Sequence, residues 1–509
     1  MTELHLLPVI PEMILAVLAM VMLLAGVSMK HVPIRGFSYI CALLLLAVLI
    51  QFWAPSFSNS APQEAMQQAI DAEGKIFGLS ENPLFAFGDM FVVDSFARFF
   101  KILVLIAASA SLVLSAGYLE RNNMARFEFP VLTMLSVLGM MLMISANDLM
   151  ALYVGLELQS LPLYVLAAFQ RNDVRASEAG VKYFILGALS SGMLLYGASM
   201  VYGFVGSTNF NDIYTTLHTF EMSGNIGLIV GLVFMLAGLA FKISAVPFHM
   251  WTPDVYQGAP TAVTAFFAIV PKIAALALLS RLLMGAFGEI ASVWQQVMIM
   301  MAGASMIIGS VGALVQNNIK RLLAYSSIGH MGYAMIGLAI GSFDGIEAML
   351  VYLGIYAAMS IGVFAIILSM HRKDAMFDQV DDLAGMAKNH PLLALLMTIL
   401  MFSMAGIPPL AGFFGKLFIF KAAIGAELYT LAIIGVLSSV VAAYYYLRVI
   451  KVMYFDDAGE KFDPIRAMGH RIVLGASVLF VLGFILYPSG LVQEAGVATN
   501  SLLKTYIAE

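Results

Sequence analysis

Seven ionisable side chains fall inside otherwise apolar stretches: Arg98, Lys101, Lys182, Lys242, Lys272, Lys416 and Glu157. A charge at the centre of a bilayer costs about 2.5–3.5 kcal/mol even on lenient insertion scales, so each needs a partner or a function. Arg98 and Lys101 follow Asp94 within two helical turns near the start of their stretch, where an ion pair and snorkelling suffice. The other four bases are all lysine. A guanidinium keeps its proton in a protein whereas a buried amine can release it, so this choice points to proton transfer rather than anchoring. Glu157, in YVGLELQSLP, supplies the opposite charge. Its bland alternative is a fixed ion pair joining two helices. One acid cannot neutralise four lysines, so some of them are neutral part of the time or solvated by internal water. His249 and His330 also fall at or near membrane depth. An isolated histidine is by default a satisfied hydrogen-bonding group, although its proton affinity near neutral pH also suits a shuttle. Nothing around the two indicates room for a haem between them.

The elements that hold these residues must be membrane helices. Of 509 residues 61% are hydrophobic and 11% charged, against roughly 25% charged in soluble domains. Apolar runs of eighteen or more residues, each able to cross about 30 Å of hydrocarbon, recur along the chain. Period-two alternation is absent, which argues against a barrel. Fourteen spans are expected, beginning near 8, 34, 91, 127, 148, 179, 225, 261, 291, 322, 345, 391, 428 and 470. The first is read as a retained span, because Glu3 and Glu12 replace the basic start of a secretion signal. The single Cys41 excludes an internal disulfide and any iron–sulfur cluster held by this chain alone. No basic run suggests nucleic acid.

The one long hydrophilic stretch, about 55–88, carries Lys75 against several carboxylates and is expected to be an external loop. With both termini outside, sixteen lysines and arginines fall on the inner side and four (Lys75, Arg281, Lys421 and Lys504) on the outer side. That asymmetry is the one that cytoplasmic loops carry.

Lys242, in LAFKISAVPFHMW, and Lys416, in GIPPLAGFFGKLF, lie 174 residues apart beside prolines and glycines. The same offset takes Glu157 to 331, next to His330, and takes Lys182 and Lys272 to Tyr356 and Tyr446. The expected plan is three N-terminal spans in 1–120, a five-helix repeat in 127–285, an inverted copy in 290–455 and a last span in 470–493. Proline- or glycine-broken helices at matching places mark the transport path in such folds. Freed backbone at membrane depth is tolerated only against protein or water, so the breaks predict wet cavities entered from opposite faces. Prolines are also common kinks in ordinary membrane helices. Lys272, after Pro271, is the central link between the two breaks, and Lys182 is expected to pair with Glu157 or relay to it.

YVGLELQSLPLYVL, FKISAVPFHMWTPDVYQGAPT, VPKIAAL, KRLLAYSSIGHMGY and GIPPLAGFFGKLF together resemble the antiporter-like subunits of respiratory complex I, over essentially the whole chain. The resemblance is to the N-type: lysine rather than glutamate at 416 departs from the M-type, and the short tail departs from the L-type. It implies an all-α membrane protein in which Glu157 and Lys242 form a modulating pair with Lys182 near it. It further implies Lys272 as the central relay, Lys416 facing the outer exit, and His249 and His330 along the same hydrated axis. The implied partners are the other membrane subunits, the peripheral redox arm and the lipid bilayer of a bacterial plasma membrane. NADH, FMN, iron–sulfur clusters and quinone would belong to the parent complex, with no cofactor in this chain. The 55–88 stretch is longer than the family pattern requires.

On this reading a change arriving from a neighbouring subunit alters the Glu157 to Lys242 separation and so the hold on the lysine's proton. One ion pair at about 4 Å and a dielectric near 20 is worth roughly 4 kcal/mol, comparable to the roughly 4.6 kcal/mol of moving one charge against about 200 mV. Two rival readings are a subunit of a multisubunit sodium/proton antiporter, with shared repeats and lysines, and a quinone- or haem-binding membrane anchor.

Overall fold

The computed structural model describes residues 6–29, 31–53, 83–220, 224–372, 375–464 and 467–507. Most of the hydrophilic stretch, 55–82 with Lys75, lies outside the described residues, as do Lys30, Lys373 and Arg466 of the basic count and Glu3.

The described chain is a helical bundle. In order the helices are α1 (Ile10–Ser28), α2 (Ile34–Ile50), α3 (Ser95–Arg121), α4 (Glu128–Ile144), α5 (Leu149–Ala167), α6 (Val174–Val205), α7 (Phe210–Thr219), α8 (Ile226–Ile243), α9 (Trp251–Gly258), α10 (Thr261–Arg281), α11 (Ala291–Leu314), α12 (Ile319–Ile340), α13 (Phe343–Ile367), α14 (Pro391–Ala405), α15 (Ala411–Gly425), α16 (Tyr429–Phe455), α17 (Met468–Gly483) and α18 (Ser489–Ile507). Ten helical segments among the described residues are long and apolar enough to cross a membrane. Four shorter apolar helices, α2, α4, α14 and α17, join them. Each expected span start falls at or near the start of one of these fourteen.

Helix ends follow from local chemistry. The Asp148 carboxylate accepts from the Met150 backbone N–H at 2.7 Å to open α5, and the Asn318 side chain accepts from Arg321 N at 3.1 Å to open α12. The expected breaks are present. α8 ends at Ile243 and resumes as α9, and α14 ends at Ala405 before α15. Lys242 sits in the last turn before its break, whereas Lys416 follows its own. Their 174-residue spacing therefore matches residue type without matching backbone position.

A different spacing is built into the backbone. Isolated antiparallel bridges join Asp148 to Asn209 and Asn318 to Gln379, and both members are shifted by 170 residues between the two pairs. Two short hairpins, Leu84–Ala86 with Phe91–Val93 and His371–Arg372 with Ala375–Met376, lie among the connections, as do a one-turn helix Met386–Asn389, a π turn Leu282–Ala286 and several 3-10 turns.

Burial runs from the inside outward. All 21 residues of α10 are buried, and α12 and α13 nearly so, while α1, α6 and α16 leave well over half of their most apolar windows uncovered. Exposed Val17, Leu24, Leu189 and Val440 lie on those outer helices, as expected of faces turned to lipid.

Three expectations about charge and length change. Asp94 is filled by Arg281, 187 residues away, with guanidinium donations of 2.8 and 2.9 Å between fully buried side chains. Arg281, counted on the outer side, is thus an internal residue at the end of α10. Lys101 pairs instead with Glu12 of α1 at 2.7 Å, both almost fully buried. The last span, expected over 470–493, ends at Gly483, and a separate helix, α18, follows. It docks on the start of α3, where the Ser501 hydroxyl accepts from Ser95 N at 3.2 Å.

Candidate functional site

Three breaks in regular helical bonding bring the amines to polar groups. Pro271 lacks the N–H that would bond Phe267 O within α10. The Tyr256 hydroxyl from α9 donates to that carbonyl at 3.1 Å, and one residue on the Tyr356 hydroxyl donates to Ala268 O at 2.8 Å. At the first helix break the Phe241 carbonyl accepts from the Trp251 indole at 2.9 Å. At the second, the Lys416 ammonium reaches back to Met404 O and Ala405 O at 3.1 and 3.0 Å. A cation on the last-turn carbonyls of α14 satisfies orphan acceptors and the negative end of the helix dipole together. Gly406, which ends α14 with φ +88°, leaves room for this: a Cβ there would lie 3.0 Å from Lys416 Cδ.

Three stations result. At the first, Lys242 Nζ donates to Ser160 Oγ at 2.8 Å and lies 3.3 Å from the Tyr164 hydroxyl. Ser160 stands one helical turn beyond Glu157 on α5. Glu157 and Lys242 are not in direct ion contact, and the buried Glu157 Oε1 has no hydrogen-bond partner among the described residues. At the second, the fully buried Lys272 donates to Ser327 Oγ at 2.7 Å and sits 5.3 Å from the centroid of the Tyr256 ring. Ser327 shares a 2.8 Å hydrogen bond with Tyr356. At the third, Lys416 also donates to Ser439 Oγ at 2.8 Å.

The second and third stations are joined. Ser326, beside Ser327, shares a 2.6 Å bond with Tyr446, which lies 3.0 Å from His330 Nε2, while His330 Nδ1 lies 2.6 Å from Tyr352. His330, Ser326, Tyr446 and Lys416 line one cavity whose space for water centres is about 10 Å³. That is about one water molecule, among groups able to bond it. Between the first and second stations stand aromatic rings: Tyr183 stacks on Trp251 at 4.5 Å and packs against Phe267 at 5.3 Å.

The sequence-selected residues therefore divide. Lys242, Lys272, Lys416 and His330 lie on this line, and Tyr356 and Tyr446 join it. Glu157 is adjacent to its beginning. His249 lies in the first break, half-buried, with no hydrogen-bond partner for Nδ1 among the described residues. Lys182 is elsewhere: it pairs with Glu178 and Asp254, each at 2.8 Å, with its side chain 41% exposed. The hydroxyls of Ser160, Ser327 and Ser439 were not singled out from sequence.

Residues 146–442, which hold Glu157, Lys242, Lys272, His330, Lys416 and Ser439 but not Tyr446, match the family model described as NADH:quinone oxidoreductase/Mrp antiporter, TM. The chain belongs to this family of membrane proteins. Similar over almost their whole length are the NADH-quinone oxidoreductase subunit N of Parvibaculum lavamentivorans, 52% identical over 498 residues and 98% of each chain, and that of Paramagnetospirillum magneticum, 50% identical over 502 residues and 98% of each. Among solved structures, a chain of respiratory complex I from Thermus thermophilus is 31% identical, with a TM-score of 0.75 over 95% of this chain and 98% of that one. A chain of the Mrp complex from Dietzia, 21% identical, shares the fold with a TM-score of 0.79 over 98% of each.

Proposed function

We propose that this chain is the proton-translocating N-type membrane subunit of a bacterial NADH:quinone oxidoreductase, moving protons along the line Lys242, Lys272, His330 and Lys416. One observation carries the reading: among the described residues none of these three buried lysines has a carboxylate within 4.0 Å, and each is held by neutral hydroxyls or carbonyls. A charge held that way is able to leave. Glu157 modulates the first station across Ser160 rather than through contact. Lys182 belongs to a network at the helix ends, outside the buried line.

The redox chemistry lies in partner subunits: NADH, FMN, iron–sulfur clusters and quinone are assigned to the peripheral arm and its membrane junction. The 170-residue shift of the two bridges supports two related halves, with five spans each making the second inverted. Fourteen spans and the basic count support both termini outside. The haem-anchor reading is disfavoured by His330, whose two nitrogens are both engaged by tyrosine hydroxyls. The near-full-length similarity to subunit N favours the oxidoreductase over a sodium/proton antiporter subunit.

The test replaces Lys272 with alanine in the assembled complex and follows NADH-driven acidification of inverted membrane vesicles. Proton transport per assembled complex should fall at least about tenfold, the effect of losing one proton-transfer group. Unchanged transport removes Lys272 from the path, and a requirement for sodium would favour the antiporter reading.

A further inference from the structure

α9 is short, and its eight residues reach from the neighbourhood of the first station to the second. Its first residue, Trp251, donates to the Phe241 carbonyl next to Lys242, and its Tyr256 ring lies under the Lys272 ammonium. Eight residues cannot hold themselves in place, since an isolated helix this short is unstable in water. What fixes α9 must come from its neighbours.

Asp254 is the only charged residue in α9. Its Oδ2 accepts from Lys182 of α6 at 2.8 Å, and its Oδ1 accepts from Arg321 of α12 at 2.7 Å. The same Arg321 nitrogen donates to Gln257 Oε1, one turn on, at 3.1 Å. The carboxylate is thus shared between a helix on the Lys242 side and the helix that carries Ser326, Ser327 and His330. The packing agrees, because a Cβ at Gly258 would come within 2.6 Å of Arg175 O on α6.

We propose that Asp254 is a positioning residue for proton transfer. Held by Lys182 on one side and Arg321 on the other, it fixes α9 and thereby the Trp251 indole bonded to the carbonyl beside Lys242 and the Tyr256 ring under Lys272. It touches no relay amine and acts only through α9. The inference rests on the proton-transfer reading given above.

The test is a double-mutant cycle in the assembled complex, with proton transport and NADH oxidation both normalised to the complex present. Asp254→Asn and Arg321→Gln should each lower transport about threefold, the size expected for half-exposed ion pairs acting on position. Because the two residues share the Asp254–Arg321 contact, the double variant should be slowed by clearly less than the product of the two single losses, and Asp254→Glu should restore most of the rate. A loss confined to assembly would lower total transport and leave the rate per complex unchanged, which overturns the proposal. So does an additive, roughly ninefold, loss in the double variant. If Asp254→Asn does not assemble, Arg321→Gln, which keeps the Lys182 pair, carries the same decision against Asp254→Glu. Lys242→Ala serves as the control: full transport in that variant overturns the relay reading itself, while full transport only in Asp254→Asn and Arg321→Gln overturns the positioning role alone.

Discussion

Replacing Asp94 with asparagine leaves the Arg281 guanidinium fully buried without its carboxylate. Breaking such a buried pair by neutralising one partner costs about 3–5 kcal/mol, because the remaining charge has lost its compensation. That is roughly a hundredfold to several thousandfold in the equilibrium between the closed bundle and one opened at this end. Asparagine can still accept from Ala97 N, as the Asp94 carboxylate does at 2.7 Å, so the cap of α3 survives and the cost isolates the charge. Arg281→Met removes the other charge and also the 3.2 Å donation to Ile144 O, a loss of about 1 kcal/mol beyond the pair. Replacing both, Asp94→Asn with Arg281→Met, removes both charges and should recover most of the stability, since a buried pair is often no better than apolar groups of similar volume. The assay is the temperature at which the solubilised complex loses its native-gel band. The order expected is native, then double variant, then Asp94→Asn as the least stable. A double variant no better than Asp94→Asn would refute the reasoning, because the penalty would then come from shape and not from the loss of the Asp94 charge beside Arg281.

Two further outcomes test the line itself and the space around it. Ser327→Ala removes the acceptor of the Lys272 ammonium; a hydrogen bond to a charged group is worth about 1.5–3 kcal/mol, so proton transport per complex should fall at least tenfold, measured in the same vesicles, with Ser327→Thr retaining more activity. Gly412→Ala would drive a methyl group into the Ser403 carbonyl oxygen and should abolish assembly on native gels, whereas Gly425→Ala, in open space, should not.

What could be read in advance was what local sequence encodes. Lysines in apolar runs are conspicuous because their cost is high, and the helix breaks are conspicuous because Pro247, Pro408, Pro409, Gly412 and Gly415 interrupt apolar runs. The serine partners were not legible for a physical reason. Ser109, Ser111 and Ser280 also sit in membrane-length helices and merely bond the carbonyl four residues back. Ser160 bonds Leu156 O in the same way and accepts from Lys242 as well, so whether such a serine also meets an amine depends on helix rotation, which packing sets. Asp94 shows the same limit: proximity along the chain suggested Arg98, and the tertiary partner was Arg281. Lys182 was the opposite case, since Glu178 four residues earlier was a visible helical partner and its pull toward the deeper Glu157 was overestimated.

The amines sort by what holds them, and the sorting carries the functional argument further than burial does. Lys101, almost wholly buried, has Glu12 at 2.7 Å. At an effective dielectric near 20 such a contact holds a charge by roughly 6 kcal/mol, more than the roughly 4.6 kcal/mol of one charge moving across about 200 mV. A proton there stays through the cycle, which makes Lys101 a fixture of the N-terminal helices. Lys320, donating to Ala259 O at 3.1 Å with Asp378 at 3.9 Å, is likewise tied to an acid. Lys242, Lys272 and Lys416 are as deeply buried, and their partners are neutral hydroxyls and carbonyls: among the described residues Lys272 has one such bond, about 1.5–3 kcal/mol to a charge and below that electrical work, Lys242 has two and Lys416 three. Burial alone would have given all five the same role; an acid within 4.0 Å of Lys101 and Lys320, and none among the described residues for the other three, separates them.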